Sequence, residues 1–311
     1  MSIIQDFMDS IGNALTDMLK SAVENSLTTS MDMLSGGLST DSGEGGIIST
    51  YLYTSPNLWL AGAEKVANHV AVWQKLKPVF DDVLVPIGSG IFCIVMMMEF
   101  VSMINESNSF KQMDMSVFIR WILKLFTGIL IISNLSTIVW GIFALGTSIT
   151  QSVGGGENGI LSQIKLTGGK ITINGDGYGF GDYFVLLLMS GILLISIMIL
   201  LCTIVVVLAS RMIEVFMYVG VAPITASTFF SRDFKEVGMN WIRGVLAIAF
   251  QGLFIVLAIG IFGILLSNTI KTISEGDNAY LQMATTLGYS VAMIFTVLRT
   301  GSISKSMFNA H

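Results

Sequence analysis

The chain has 311 residues, of which 12% are charged and 53% hydrophobic, and its formal net charge is −5. Soluble domains carry about twice that charged fraction, so an ordinary cytosolic enzyme, a disordered protein and a basic nucleic-acid-binding domain are excluded. With a mean hydropathy of +0.75, the composition is that of an all-α polytopic membrane protein.

The first predicted element is an amphipathic helix over residues 1–34. Ile4, Phe7, Met8, Ile11, Leu15, Met18, Leu19 and Ala22 recur at helical spacing, opposite Asp6, Asp9, Asp17 and Lys20. Asp6 and Asp9 and the lack of a basic start argue against a cleavable signal peptide. The expectation is a helix packed on its own protein or on a neighbouring subunit. A position in the lipid interface is the alternative, disfavoured by the acidic polar face. Residues 35–55 read as a Gly/Ser linker. Residues 56–80 read as a second, interfacial helix, opened by Ser55-Pro56 and carrying Trp59, His69 and Trp73.

A bilayer core of about 30 Å takes about 20 apolar residues as helix. Two spans are predicted within 83–150. Val83 to Met98 reaches spanning length only if Glu99 is tolerated and the helix runs on to Ile104, and Leu125 to Thr150 is entered through Arg120 and Lys124. An outer loop, residues 151–182, holds ten glycines. Within it, Ile164 to Thr167 and Lys170 to Ile173 alternate apolar and polar around Gly168-Gly169, the pattern of a small extracellular β-hairpin. Asn174 to Asp182 reads as a simple turn rather than a calcium loop. The later spans, within 183–300, are Tyr183 to Ser210, Gly244 to Ile270 and Asn278 to Leu298. Between the first two of these lies a short apolar run over residues 212–230 with Gly220 and Pro223. Proline removes a backbone donor, so this run is expected to be broken, re-entrant or a sixth crossing. Residues 301–311 form a C-terminal tail.

With five spans, Lys111, Arg120, Lys124, Arg211, Arg232, Lys235, Arg243, Arg299 and Lys305 collect on one face. The positive-inside rule then puts the N-terminus outside and the C-terminus in the cytoplasm. Catalytic motifs are missing: there is no P-loop, HExxH, CxxC or GxSxG, and His69 and His311 are the only histidines. The expectation is a protein that is not an enzyme and takes no cofactor or metal.

The residues of interest are therefore ionisable or small groups inside apolar runs. Glu99 is the intramembrane acid. Arg211 and Glu214 are three residues apart and can pair on one helix face. Gln251, Gly252, Gly260 and Gly263 mark a helix-packing surface, with Gln251 expected to hydrogen-bond across it.

Arg211 to Thr225 (RMIEVFMYVGVAPIT) directly follows a very apolar span. A short charged turn (Ser231 to Glu236), Trp241 and another long span come after it. This arrangement resembles the core of TrbL-like polytopic membrane subunits of type IV secretion and conjugation machines, in the form found on Gram-positive conjugative elements. The resemblance is strongest over Tyr183 to Leu298 and architectural before that. It implies a channel or scaffold subunit that helps DNA–protein substrate across the cell membrane. It also implies membrane lipid, separate ATPases, a coupling protein, extracellular assembly proteins and further copies of the chain as partners, with transient contact to the substrate. On this resemblance Arg211, Glu214, Gly220, Ala222, Pro223 and Trp241 carry structural roles. The alternative is a secondary transporter or channel for a small solute. That class should show discontinuous helices at matching places in two similar halves, and the Gly220–Pro223 run has no counterpart in the first half.

Overall fold

The computed structural model describes residues 2–38, 71–106, 115–155, 159–161, 178–274 and 279–310. Among these, every regular element is helical. In chain order they are α1 (Ser2–Gly37), α2 (Ala71–Val79), a π-helical turn (Phe80–Leu84), α3 (Val85–Glu106), α4 (Met115–Ser133), α5 (Leu135–Gly154), α6 (Phe180–Ala226), α7 (Lys235–Ser274) and α8 (Ala279–Met307). The predicted β-hairpin, most of the linker and most of the second N-terminal helix lie outside the described residues.

Four helical stretches are long and apolar enough to cross a membrane: Lys75–Asn105, Phe180–Ala226, Lys235–Thr269 and Ala279–Met307. A fifth crossing is available if the pair Phe118–Ser133 and Leu135–Gly154, bent by 64°, counts as one broken span. Two expectations change here. The predicted second span is not straight: it bends at Asn134, whose side-chain amide donates to Leu130 O at 3.0 Å and so competes locally with the helical ladder. The run 212–230 is neither broken nor a separate crossing, because α6 continues through Gly220 and Pro223 to Ala226. Pro223 has no N–H to give to Val219 O, so α6 runs through it with one ladder bond missing. In the last turn, hydroxyls add to the backbone ladder. Thr225 Oγ1 donates to Val221 O and Ala222 O, Ser227 Oγ to Ile224 O and Thr228 Oγ1 to Thr225 O. At 47 residues, α6 is about 70 Å long, roughly twice a hydrocarbon core.

The described chain divides into two compact units, and α6, α7 and α8 each contribute residues to both. The first draws on Met1–Tyr53, Thr150–Leu208 and Leu253–Thr300. Its core is built at helical spacing from Leu186, Leu193, Ile197 and Leu200 of α6, Ile255, Ile259 and Phe262 of α7, and Met283, Met293 and Val297 of α8. α1 adds Val23, Leu27, Met31 and Leu34. Of the apolar set expected to pack on this chain or on a neighbouring subunit, Leu19 packs against this core, whereas Ile11, Leu15 and Met18 are exposed within the chain. A Tyr–Asp cluster ties the starts of α6 and α8 together: Tyr280 Oη donates to Asp182 Oδ1 at 3.0 Å, and Ala279 N donates to Tyr178 Oη at 3.4 Å. Asp182 also accepts from Gly179 N at 2.9 Å, which makes it a helix-start residue.

The second unit draws on Thr54–Ile149, Ala209–Gly252 and Gly301–His311. Val139, Trp140 and Phe143 of α5 pack there against Val215, Val219 and Ala222 of α6 and Val245, Ile248 and Ala249 of α7. A smaller cluster joins Phe92 and Met96 of α3 to Ile132 of α4, with Phe230 packed on it. Apolar helix faces gain little from leaving lipid for one another, so close van der Waals packing and cross-helix polar contacts must hold such a unit. Glycine supplies the close approaches. A methyl group on Gly88 would lie 2.6 Å from Pro223 O, and one on Gly146 would lie 2.5 Å from Ala249 O.

Candidate functional site

The last part of α6 and the first part of α7 form an antiparallel helical hairpin around the turn 227–234. Three contacts set its register. Trp241 Nε1 donates to Tyr218 O at 3.2 Å. Gly244 leaves room for the Tyr218 ring, which a methyl group would approach to 2.5 Å. Further along, Arg211 reaches α7: its Nε donates to Ile248 O at 3.2 Å and its terminal nitrogen to Ala249 O at 3.4 Å. Gly252, one turn on from Ile248, makes this possible, since even a methyl group there would lie 3.0 Å from the guanidinium.

Arg211 is 9% exposed, and its partners are carbonyl dipoles rather than an acid. The expected Arg211–Glu214 pair does not form. Glu214 turns instead to Lys305 at 3.8 Å, and both side chains are partly exposed. The two residues share a helix face, but the carbonyls opened by Gly252 draw the guanidinium across to α7, away from its own helix. On the other side of α7, Ser304 Oγ of α8 donates to Ala247 O at 2.5 Å. Gly301 admits the Gln251 amide, which a methyl group would meet at 3.2 Å. Ser304 thus makes a cross-helix hydrogen bond between α8 and α7 beside Gln251.

Glu99 forms a second polar node in the same unit. Its carboxylate is 2% exposed. Oε1 accepts from Lys124 Nζ at 2.6 Å, Oε2 accepts from Arg232 N at 3.1 Å, and Arg232 Nε lies 3.7 Å from Oε1. One buried acid therefore joins the end of α3, the start of α4 and the turn between α6 and α7. Nearby, Trp121 Nε1 donates to Met96 O at 3.1 Å, and Gly128 leaves room for Phe92. The acid is tolerated inside an apolar run because each of its oxygens accepts a hydrogen bond and two cations neutralise it.

The structure therefore gathers Arg211, Ala222, Pro223, Trp241, Gln251 and Gly252 into one hairpin. Ala222 and Pro223 are buried there, and Gly220 is half-buried with only Leu84 near it. Gly260 and Gly263 are buried in the other unit, where Gly260 makes room for Ile160. Sequence reasoning missed Gly88, Gly244, Gly301 and Ser304. Three of these are glycines in or beside apolar runs, which is a usable signal; nothing local distinguishes Ser304. Among the described residues, no group of three His, Cys, Asp or Glu side chains is placed to hold a metal.

A family model described as TrbL/VirB6 plasmid conjugal transfer like protein matches residues 61–223. The match takes in Gly88, Glu99, Lys124, Arg211, Glu214, Gly220 and Ala222, and ends on Pro223. Trp241, Gln251 and Gly252 lie beyond it. It begins and ends earlier than the stretch 183–298 on which the resemblance was strongest, and the two overlap over 183–223. No curated protein and no solved structure matches the chain.

Proposed function

Because the chain belongs to the TrbL/VirB6 plasmid conjugal transfer family, a multi-pass membrane component of a conjugation or secretion complex, we propose that it is the scaffold and path-forming subunit of a type IV secretion machine. It helps DNA–protein substrate across the cell membrane and hydrolyses no nucleotide itself. Separate cytoplasmic ATPases and a coupling protein supply energy and substrate, and extracellular assembly proteins meet the outer side. The N-terminus lies outside and the C-terminus in the cytoplasm. The observation that carries this reading is the family match running up to Pro223, inside the hairpin that Arg211 and Trp241 hold together.

The roles of the site residues on this reading are structural. Arg211 locks α6 to α7, Trp241 fixes their register, and Glu99 holds the connecting turn. An in-frame deletion, complemented from a plasmid, tests the function in a mating assay. Transfer should fall to background and return with the complementing copy. Unimpaired transfer, or a defect confined to uptake of a small solute, would count against it.

A further inference from the structure

The first half of α1 carries an apolar seam of which Ile11, Leu15, Met18 and Ala22 are exposed. Ile4, Met8, Ile11, Leu15, Met18 and Ala22 recur at alternating steps of four and three residues, the spacing of a coiled-coil core. Ile11, Leu15 and Met18 are 41%, 45% and 72% exposed. The face through which α1 docks on its own chain, Val23, Leu27, Met31 and Leu34, lies about 150° away around the helix at 3.6 residues per turn. The apolar stripe thus changes sides near residue 20, and the core that buries the second half cannot also cover the first.

The charges indicate what does cover it. In the heptad register set by these six residues, Asp6, Asp9, Asp17 and Lys20 occupy outer positions. The positions flanking the seam, Gln5, Phe7, Gly12, Ala14, Leu19 and Ser21, are all uncharged. Two copies meeting along this seam therefore bring no like charges together, whereas charged flanks would repel an identical helix. Three acids and one lysine on the polar face are the reverse of the Lys/Arg-rich face that binds a lipid surface.

We propose that residues 4–22 of α1 form a coiled-coil contact with the same segment of a second copy of this chain. The contact does not depend on what the assembly transports.

Disulfide trapping in the full-length protein tests it, in membranes, with Cys93 and Cys202 replaced by serine. Leu15→Cys lies on the seam and Asn13→Cys on the opposite side. Oxidation should link Leu15→Cys into a dimer several-fold more efficiently than Asn13→Cys. No dimer at position 15, or equal yields at both positions, would overturn the proposal. So would a blue-shifted environment-sensitive fluorophore at position 15 in vesicles without cross-linking, which would place the seam in lipid. The double variant Ile11→Asp/Leu15→Asp changes only exposed positions, and it should lower the oligomer mass measured by light scattering. An unchanged mass would also overturn the proposal. None of these readouts involves transfer, so the secretion reading can fail while this contact stands.

Discussion

Among the described residues no acid pairs with the buried Arg211, and this separates two roles for it. Ile248 O and Ala249 O belong to the regular ladder of α7, so losing the guanidinium does not orphan them. The expected loss for Arg211→Ala is about 1.5–3 kcal/mol, the range for hydrogen bonds involving a charged group. A well-packed apolar side chain of similar length can replace a buried charge at little cost. Arg211→Met should therefore keep the thermal midpoint of the purified protein near wild type, while Arg211→Ala lowers it. Transfer lost by Arg211→Met at unchanged midpoint would show that the charge itself is needed. A lower midpoint for Arg211→Met than for Arg211→Ala would contradict the packing described. At Glu99 the asymmetry is sharper. Lys124→Ala leaves a nearly inaccessible carboxylate with only Arg232 to satisfy it, whereas Glu99→Gln leaves two cations that are one-third to one-half exposed and can rehydrate. Lys124→Ala should approach the ~3–5 kcal/mol of a broken buried pair and Glu99→Gln should cost less, as read by melting in detergent.

At the scale of the element, the continuity of α6 changes what Pro223 is expected to do. Pro223 removes a single ladder bond, the one to Val219 O, and α6 continues through it to Ala226. Pro223→Ala should leave the path of α6 unchanged and transfer near wild type. The contact at risk lies on the other helix. Gly88→Leu forces a side chain against Pro223 O, where a single methyl group already has 2.6 Å, and should separate α3 from α6 with loss of folded protein. Size-exclusion profiles of the two variants check the order; a profile for Gly88→Leu indistinguishable from wild type would refute the close approach. The periodicity of apolar runs made these helices legible, but not where they stop or bend. Nothing in the run Leu125 to Thr150 singles out Asn134, and its amide–carbonyl bond with the bend beside it depends on three-dimensional geometry.

For the whole molecule, orientation is the quantity to measure. Single cysteines in a Cys93→Ser/Cys202→Ser background should react with a membrane-impermeant maleimide from outside at Gly169 and from the cytoplasm at Ser306. Ser306 is exposed, whereas Ser304 is buried against Ala247 and would not react on either side. Labelling of Ser306→Cys in intact cells would reverse the orientation. The number of crossings depends on whether α4 and α5 together traverse the bilayer, because four straight candidates alone would return the chain to its starting side. Charge placement in the sequence pointed to five, a number reached only if the bent pair counts as one span.

Composition and apolar run length determined that this is a helical membrane protein and where its apolar helices fall, and the resemblance read from the sequence named the family that the match over residues 61–223 shows. These are properties of contiguous residues, set by the thickness of a bilayer and the rise of a helix. Tertiary structure decided the partners of the rare polar groups. Arg211 and Glu214 are neighbours in sequence, yet one reaches carbonyls on α7 and the other meets Lys305. Glu99, which read as a marginal residue at the end of a short span, holds three segments together. A buried polar group takes whichever partner packing brings within hydrogen-bond reach, and separation along the chain does not encode that reach.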